Sequence, residues 1–216
     1  MRLFCSKNVQ GPYIDPAGNN AQYNSVDGYK YGIKLIGNYQ FKDQPGYRSA
    51  GHNSALITDD GKYFLIYHQR FLAEAMGEKY EVRVHQQFLN EDKWLVTAVY
   101  EYKGEIIKKY TKDEVVGNYE FINHGNVVQD GSMLETKKII LSKNGSVTGD
   151  EAGTWKMFDG DDYTYITLTL SNVEYKGVFC IQKDDNNSLK MTFTAIGGNN
   201  LAIWGSSEFI INRDTI

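Results

Sequence analysis

Proline and cysteine are both scarce in this sequence of 216 residues, with three and two copies respectively. With so few prolines, little interrupts the pairing of strands. The two cysteines, Cys5 and Cys180, lie far apart in apparent strands, which excludes a disulfide framework and a metal-type cysteine spacing. We expect both to be buried free thiols.

Long apolar runs and blocks of one charge sign are also absent. No apolar run approaches the roughly 18 residues of a membrane span, and the first residues lack the apolar stretch of a signal peptide. The sequence opens instead in an apparent strand, as if it began inside a larger fold. The net charge of −4 comes from interspersed Lys, Asp and Glu, so we expect no nucleic-acid partner and no membrane partner.

Aromatic residues and glycine are abundant, with 16 Tyr, 10 Phe and 21 Gly. Aromatic side chains suit a pleated, half-buried surface, and glycine supplies the positive φ angles of tight turns. Hydrophobic residues make up 41% of the chain and charged residues 23%, which is typical of a globular protein and too apolar for disorder. We therefore predict an all-β fold.

The first half of the sequence predicts a run of strands joined by short turns. The connections "DDGK" and "NEDK" carry turn chemistry, and four consecutive strands are what one propeller blade or a plain meander contains. The segment "FLAEAMGEKY" interrupts the rhythm with a helical turn or a longer loop. The predicted strands are Arg2–Ser6, Gly32–Phe41, Asn53–Thr58, Lys62–Gln69, Tyr80–Phe88 and Trp94–Tyr102.

A charged linker, Lys103 to Gly117, separates this half from a second series of strands, and we place a domain boundary near Asp113. Eight short strands in about one hundred residues predict a small barrel or a sandwich. We favour a barrel, because closure removes the exposed edges of short strands. The predicted strands are Gly117–Asn123, Lys137–Ser142, Ser146–Asp150, Gly153–Phe158, Tyr163–Leu170, Val173–Gln182, Leu189–Ala195 and Leu201–Trp204.

Histidine is the only residue type that suggests a site from the pattern alone. His68 and His85 alternate with other residues inside strands, and His124 ends a strand, so we interpret these three as structural or surface groups. His52 instead lies between Gly51 and Asn53, where small and polar neighbours leave room for water or an ion. Most acidic residues lie in turns that they stabilise, and no nucleophile elbow, phosphate loop or dinucleotide motif is present.

Two groups of segments carry a resemblance to a known family. "RLFCSKNVQGPYIDPAGN", "GYRSAGHNSALITDDGKYFLIYHQRF" and "YEVRVHQQFLNEDKWLVTAVYEY" are similar to the last part of the five-bladed propeller of glycoside hydrolase family 43 endo-α-1,5-L-arabinanases. "VVGNYEFINHG", "GTWKMFDGDDYTYITLTLSNVEYKGVFC" and "LKMTFTAIGGNNLAIWGSSE" resemble the lipocalin-like barrel that follows that propeller. The resemblance implies the last one to two blades over residues 1–112 and an accessory antiparallel β-barrel over residues 113–216.

The resemblance also implies a function, the hydrolysis of pectic arabinan with inversion. No position of this chain matches the family's three catalytic carboxylates, which belong to earlier blades, so we assign no catalytic residue and expect the chain alone to be inactive. The family's "GHNS" histidine binds a metal ion, usually taken as calcium, largely through waters. His52 matches it and is the predicted metal-site residue, with calcium as the predicted cofactor.

The barrel leaves an alternative open. Its aromatic residues are candidates for stacking on sugars, although at strand spacing we favour a core role for them. The chain is then either part of an arabinan-degrading enzyme or a non-catalytic module whose barrel binds a carbohydrate or small ligand. The aromatic residues concerned are Trp155, Tyr163, Tyr165 and Trp204.

Overall fold

The computed structural model describes residues 1–21, 30–71, 79–127 and 131–212, and the fold is all-β apart from one short helix. In the first half, a two-stranded antiparallel pair precedes a four-stranded antiparallel sheet in the order β3-β4-β5-β6. The bounds are β1, Arg2–Leu3; β2, Ile33–Lys34; β3, Tyr47–Ile57; β4, Tyr63–Phe71; β5, Tyr80–Leu89; and β6, Leu95–Thr97.

The second half closes into an eight-stranded antiparallel barrel in which sequential strands pair and β14 returns to β7. Helix α1, Lys112–Val115, leads into the first barrel strand. Closure leaves no unpaired edge among these strands. Their bounds are β7, Gly117–Asn123; β8, Lys137–Leu141; β9, Ser146–Gly149; β10, Gly153–Asp159; β11, Thr164–Leu170; β12, Val173–Lys183; β13, Leu189–Gly197; and β14, Ala202–Ser207.

Alternation along the barrel strands separates two hydrophobic clusters. On β12, Phe179 and Ile181 belong to the cluster that fills the barrel, whereas Val178 and Cys180 belong to a second cluster. This second cluster also contains Leu65 and other residues of the four-stranded sheet. Successive side chains of a strand point to opposite faces. Alternate side chains of this part of the barrel therefore fill its interior, and those between them pack against the sheet. Sheet and barrel therefore share a core.

The all-β class and the barrel are confirmed, with corrections to single strands. The strand predicted from Gly32 to Phe41 is regular at β2 and bridged again at Tyr39. Between these positions the backbone N–H of Gly37 donates to His124 Nδ1 at 3.1 Å. The strand predicted from Trp94 to Tyr102 ends at Thr97. Beyond it the N–H of Val99 donates to a side-chain oxygen of the barrel at 2.9 Å. In both places a backbone N–H donates to a side chain and not to the carbonyl oxygen of a neighbouring strand.

Two further expectations need comment. Cys180 is a buried free thiol as predicted, but the prediction for Cys5 is wrong, because Cys5 is exposed. The linker of residues 103–117 contains the buried Tyr110. Of the interrupting segment "FLAEAMGEKY", residues 72–78 lie outside the described residues. Within the described ranges, none of the helices has the length and apolarity needed to cross a membrane.

Candidate functional site

His52 lies in a distorted stretch of β3. The pairing of β3 with β4 shifts register on both sides of Gly51, and His52 has a φ of 46°. A left-handed backbone at a residue with a side chain costs roughly 1–3 kcal/mol and is concentrated at functional sites, where bulges re-aim side chains. The distortion leaves the His52 side chain exposed to solvent.

The neighbouring strand places a second imidazole beside His52. His68 of β4 is the pairing partner of Gly51, and the centroids of the His52 and His68 rings are 5.0 Å apart with a 32° angle between the ring planes. On its other side, His68 meets the ring of Tyr80 at 5.8 Å, edge to face. The sequence predicted His68 to be a structural or surface group, because strand pairing across a bulge is not visible in the sequence.

The donor set at this position consists of nitrogen atoms. In the described part of the chain, no group of three or more His, Cys, Asp or Glu is arranged to hold a metal ion. Calcium takes six to eight oxygen ligands. The residues present fit a calcium ion only through one imidazole with water in the remaining positions.

The two histidines stand at one end of an open sheet face. Its apolar side chains include Leu56, Tyr80 and Val82, with exposed fractions of 47%, 54% and 67%. Strand β3 pairs with β4 and forms the edge of this sheet, although near its start Tyr47 bridges Tyr39 and the N–H of Ser49 donates to Asn38 Oδ1. Exposed apolar side chains on one sheet face beside a largely unpaired edge are typical of a surface that packs against another structural unit.

The remaining two histidines are structural, as predicted. His85 is fully buried, with Nδ1 2.9 Å from the Ala98 carbonyl oxygen and Nε2 3.1 Å from the Tyr67 hydroxyl. His124 is also fully buried and packs against Trp204, with ring centroids 4.2 Å apart. Desolvation lowers the pKa of each imidazole to about 3, so both are neutral at physiological pH.

A buried guanidinium links the sheet to the barrel, and sequence reasoning missed it. Arg83 is 1% exposed, and three carboxylates lie within 4 Å of it, those of Glu81, Asp185 and Glu101. Its guanidinium carbon lies 4.0 Å from the centroid of the Tyr47 ring. Asp185 belongs to the turn between β12 and β13 of the barrel, whereas Arg83 belongs to the sheet. The cation therefore holds the two parts in register.

The aromatic residues considered for sugar stacking are mainly core residues. Trp155 is 4% exposed and belongs to the cluster inside the barrel. Trp204 is 1% exposed and lies in the shared core, where its Nε1–H donates to the Thr97 carbonyl oxygen at 2.8 Å. Tyr163 and Tyr165 are partly buried against the same shared core. The barrel interior is thus filled by side chains.

A protein-family model matches the second half of the chain. Residues 99–205 match the model of the C-terminal lipocalin-like domain of glycoside hydrolase family 43. The chain therefore carries the C-terminal domain of this family, and the matched residues include nearly all of the closed barrel.

Two curated proteins similar to this chain are arabinanases. The chain is 38% identical to an extracellular endo-α-(1→5)-L-arabinanase of Thermotoga petrophila and 35% identical to extracellular endo-α-(1→5)-L-arabinanase 2 of Bacillus subtilis, over 95% of its length in each case. It covers 45% and 46% of those proteins. The chain therefore spans about half the length of the curated relatives it matches.

Solved structures agree with the sequence comparison. A family 43 glycoside hydrolase from Bacillus licheniformis superposes with a TM-score of 0.87 at 38% identity. The endo-1,5-α-L-arabinanase of Thermotoga petrophila gives the same TM-score at 37% identity. Each alignment covers 96% of this chain and 48% of the other.

Proposed function

We propose that this chain is the C-terminal portion of an arabinan endo-1,5-α-L-arabinosidase, which hydrolyses pectic arabinan with inversion. In this proposal residues 1–112 end a β-propeller and residues 113–216 form an accessory barrel. The similarity to two endo-arabinanases over 95% of the chain supports the assignment. Arabinan or an arabino-oligosaccharide is the proposed substrate of the enzyme as a whole.

The open face of the β3–β6 sheet is the observation that carries the proposal. Its exposed apolar residues, Leu56, Tyr80 and Val82, are unusual for a surface in contact with water only. A further sheet packed on this face and a strand beside β3 would cover both the patch and the edge. The relatives are about twice as long as the chain, so a protein of their length has the material to do so.

We propose that His52 is the metal-site residue of this enzyme, with calcium as the ion that the family resemblance implies. A bound calcium ion would supply positive potential and ordered water near the catalytic acids. His52 would hold it through one imidazole nitrogen, and the exposure of this side chain leaves room for the water ligands.

An arabinan assay tests the proposal. The chain alone should release no reducing ends from linear arabinan, because its residues match none of the catalytic carboxylates. A chimera that joins the part of the Thermotoga petrophila arabinanase preceding the matched region to this chain should hydrolyse linear arabinan with inversion at the anomeric carbon. The unmodified Thermotoga petrophila protein serves as the positive control.

Two results would contradict the proposal. One is a folded chimera with no activity on arabinan under conditions in which the control turns it over. The other is turnover by the chain alone that is abolished by replacing an acidic residue within these 216 residues.

The alternative, a non-catalytic barrel that binds a carbohydrate or a small ligand, receives less support. A barrel that holds a ligand needs interior space, and here the interior contains Trp155, Phe179 and Phe193 together with other buried apolar side chains. Calorimetry of the full chain with arabino-oligosaccharides distinguishes the two functions. Clear binding that survives mutation of the open sheet face would favour the module.

A further inference from the structure

We propose that a groove around Trp94, at the junction of the sheet and the barrel, binds a linear arabinan chain. The ligand class rests on the proposed function, whereas the groove itself rests on the structure. Two cavities of about 430 and 210 Å³ form this Trp94 groove, and Asp92 and Trp94 line both of them. Ligand pockets range from about 300 to 1,000 Å³, so the Trp94 groove has room for a short run of sugar units.

Trp94 differs from the other two tryptophans in its surroundings. Trp155 and Trp204 are buried, and their indole N–H groups donate to the carbonyl oxygens of Ser142 and Thr97 at 2.9 and 2.8 Å. Trp94 is only partly buried against the shared core, and its indole N–H has no hydrogen-bond partner in the described part of the chain. A partly exposed aromatic ring with an unused donor is suited to stack on a sugar ring and to bond one of its hydroxyl groups.

The two cavities present different surfaces to a ligand, and Trp94 borders both. The larger is walled by apolar side chains of the segment between β1 and β2, among them Pro12 and Ile14. The smaller lies against the barrel and includes the polar side chains of Glu174 and Lys176. An apolar wall with a few convergent polar groups is the usual make-up of a ligand site. It matches a sugar, whose C–H groups form an apolar face and whose hydroxyl groups form a polar rim.

Charged side chains of both signs line the Trp94 groove. They are Lys7, Asp92, Lys93, Glu174 and Lys176. Lys176 is paired internally, with its Nζ 3.0 Å from a carboxylate oxygen of Asp92 and 3.4 Å from one of Glu91. Together with Glu91, the carboxylates equal the lysines in number, which disfavours a phosphate or a nucleic acid and favours a neutral ligand. The same groups are acceptors and donors for sugar hydroxyls.

Hydrogen bonds between the sheet and the barrel hold the Trp94 groove in shape. The side-chain oxygen of Asn90 accepts from the backbone N–H groups of Asp92 and Trp94 at 3.0 and 2.9 Å. Its side-chain amide donates to the carbonyl oxygen of Lys176 on β12 at 3.1 Å. Because the backbone that carries the Trp94 ring is already fixed, a ligand has little to order when it binds.

Protection of Cys5 from alkylation tests the inference on the full chain. Cys5 is exposed and lines the larger cavity, whereas Cys180 is buried, so iodoacetamide should modify only Cys5 while the chain is folded. Peptide mass spectrometry measures the rate at each cysteine. A linear α-1,5-arabino-oligosaccharide at about ten times its dissociation constant should slow the reaction of Cys5 about tenfold. A cello-oligosaccharide of equal length should not slow it.

Three variants show whether the protection depends on the Trp94 ring. Trp94→Leu keeps an apolar side chain against the shared core but removes the ring, and it should weaken oligosaccharide binding about tenfold or more. Trp94→Phe keeps a ring without the N–H group and should lie between Trp94→Leu and the wild type; its result decides if Trp94→Leu does not fold. Phe158→Ala removes a 40% exposed aromatic ring that lines neither cavity, and it should leave the protection unchanged.

Calorimetry with the same variants separates the Trp94 groove from the barrel interior. Binding at the groove survives mutation of the open sheet face, so Trp94→Leu is the variant that distinguishes it from a ligand-binding barrel. We expect the heat of oligosaccharide binding to be lost in Trp94→Leu. Binding that persists both in Trp94→Leu and after mutation of the open sheet face would favour the non-catalytic module and overturn the groove.

Four results of the alkylation experiment would also overturn the inference. The first is a Cys5 rate that the arabino-oligosaccharide does not change, and the second is protection that stays the same in folded Trp94→Leu. Equal protection by the cello-oligosaccharide contradicts the ligand class. An unreactive Cys5 in the chimera with the Thermotoga petrophila arabinanase would mean that the rest of the enzyme covers the groove.

The alkylation readout does not depend on catalysis, so the two proposals fail separately. Protection of Cys5 together with an inactive chimera would support the groove and contradict the proposed enzymatic function. An active chimera together with an unprotected Cys5 would contradict the groove alone.

Discussion

Glu105 gives the sharpest test of how the sheet and the barrel are joined. Its carboxylate lies in the linker and is largely buried, with Oε1 accepting a hydrogen bond from the Gln182 side-chain amide at 3.0 Å. Its other oxygen, Oε2, is buried without a hydrogen-bond partner in the described part of the chain. Desolvation raises the pKa of Glu105 from 4.5 to about 7. Folding therefore favours the protonated carboxyl group.

The sign and size of the effect follow from this difference in pKa. The pKa of Glu105 is higher in the folded state than in the unfolded state. The contribution of this group to stability is therefore greatest below about pH 4.5. Stability then falls as pH rises and levels off above about pH 7. The full loss is about 3 kcal/mol, of which about 2.5 kcal/mol falls between pH 5 and 8.

Replacing Glu105 with glutamine keeps the shape of the protonated group and removes its titration. We expect Glu105→Gln to exceed the wild-type free energy of unfolding by about 3 kcal/mol at pH 8 and by about 1 kcal/mol at pH 5. Urea denaturation at a series of pH values measures both proteins. Glu174→Gln, at an exposed position, is the control that shows how much the loss of a surface carboxylate changes the free energy of unfolding. A Glu105→Gln advantage that is the same at pH 5 and pH 8 would refute the reasoning.

Two further predictions concern buried contacts. Arg83→Met should lower the free energy of unfolding by about 3–5 kcal/mol in urea denaturation, because it leaves Asp185 and two other carboxylates without their buried cation; a loss below 1 kcal/mol would contradict the structural role. Gly177→Ala should cost about 3 kcal/mol or prevent folding, since its β-carbon would overlap the Thr194 carbonyl oxygen. Gly198→Ala, with nothing within 4 Å of the added carbon, is the matched control and should melt at nearly the wild-type temperature.

The barrel could be predicted from the sequence because local signals decide it. Eight runs of β-branched and aromatic residues are separated by turns rich in Asn, Asp and Gly, and each run pairs with its neighbours in sequence. Strand ends in the first half were less predictable. At Gly37 and Val99 the backbone N–H groups donate to side chains from distant parts of the chain, and such partners leave no mark on local periodicity.

The candidate site shows the same division. The position of His52 between Gly51 and Asn53 is a local feature, and the sequence alone was enough to single out this residue. Its partner was not predictable, because the register shifts around Gly51 decide which residue of β4 lies beside His52. A one-residue slip turns every side chain of a strand to the other face. A regular ladder without bulges would therefore pair His52 differently, and only the three-dimensional register identifies His68.

Strand alternation predicts that a residue is buried but not against which part of the fold. Trp155 and Trp204 both read as core from the sequence, yet Trp155 fills the barrel and Trp204 joins the barrel to the sheet. The two cores share barrel strands, since neighbours such as Ile203 and Trp204 point to opposite faces. The barrel wall is therefore apolar on both sides where it meets the sheet, and a barrel cut from this chain would expose Trp204, Val178 and Cys180 to water. The barrel is consequently a structural partner of the sheet, and its separation from the sheet is expected to reduce its solubility.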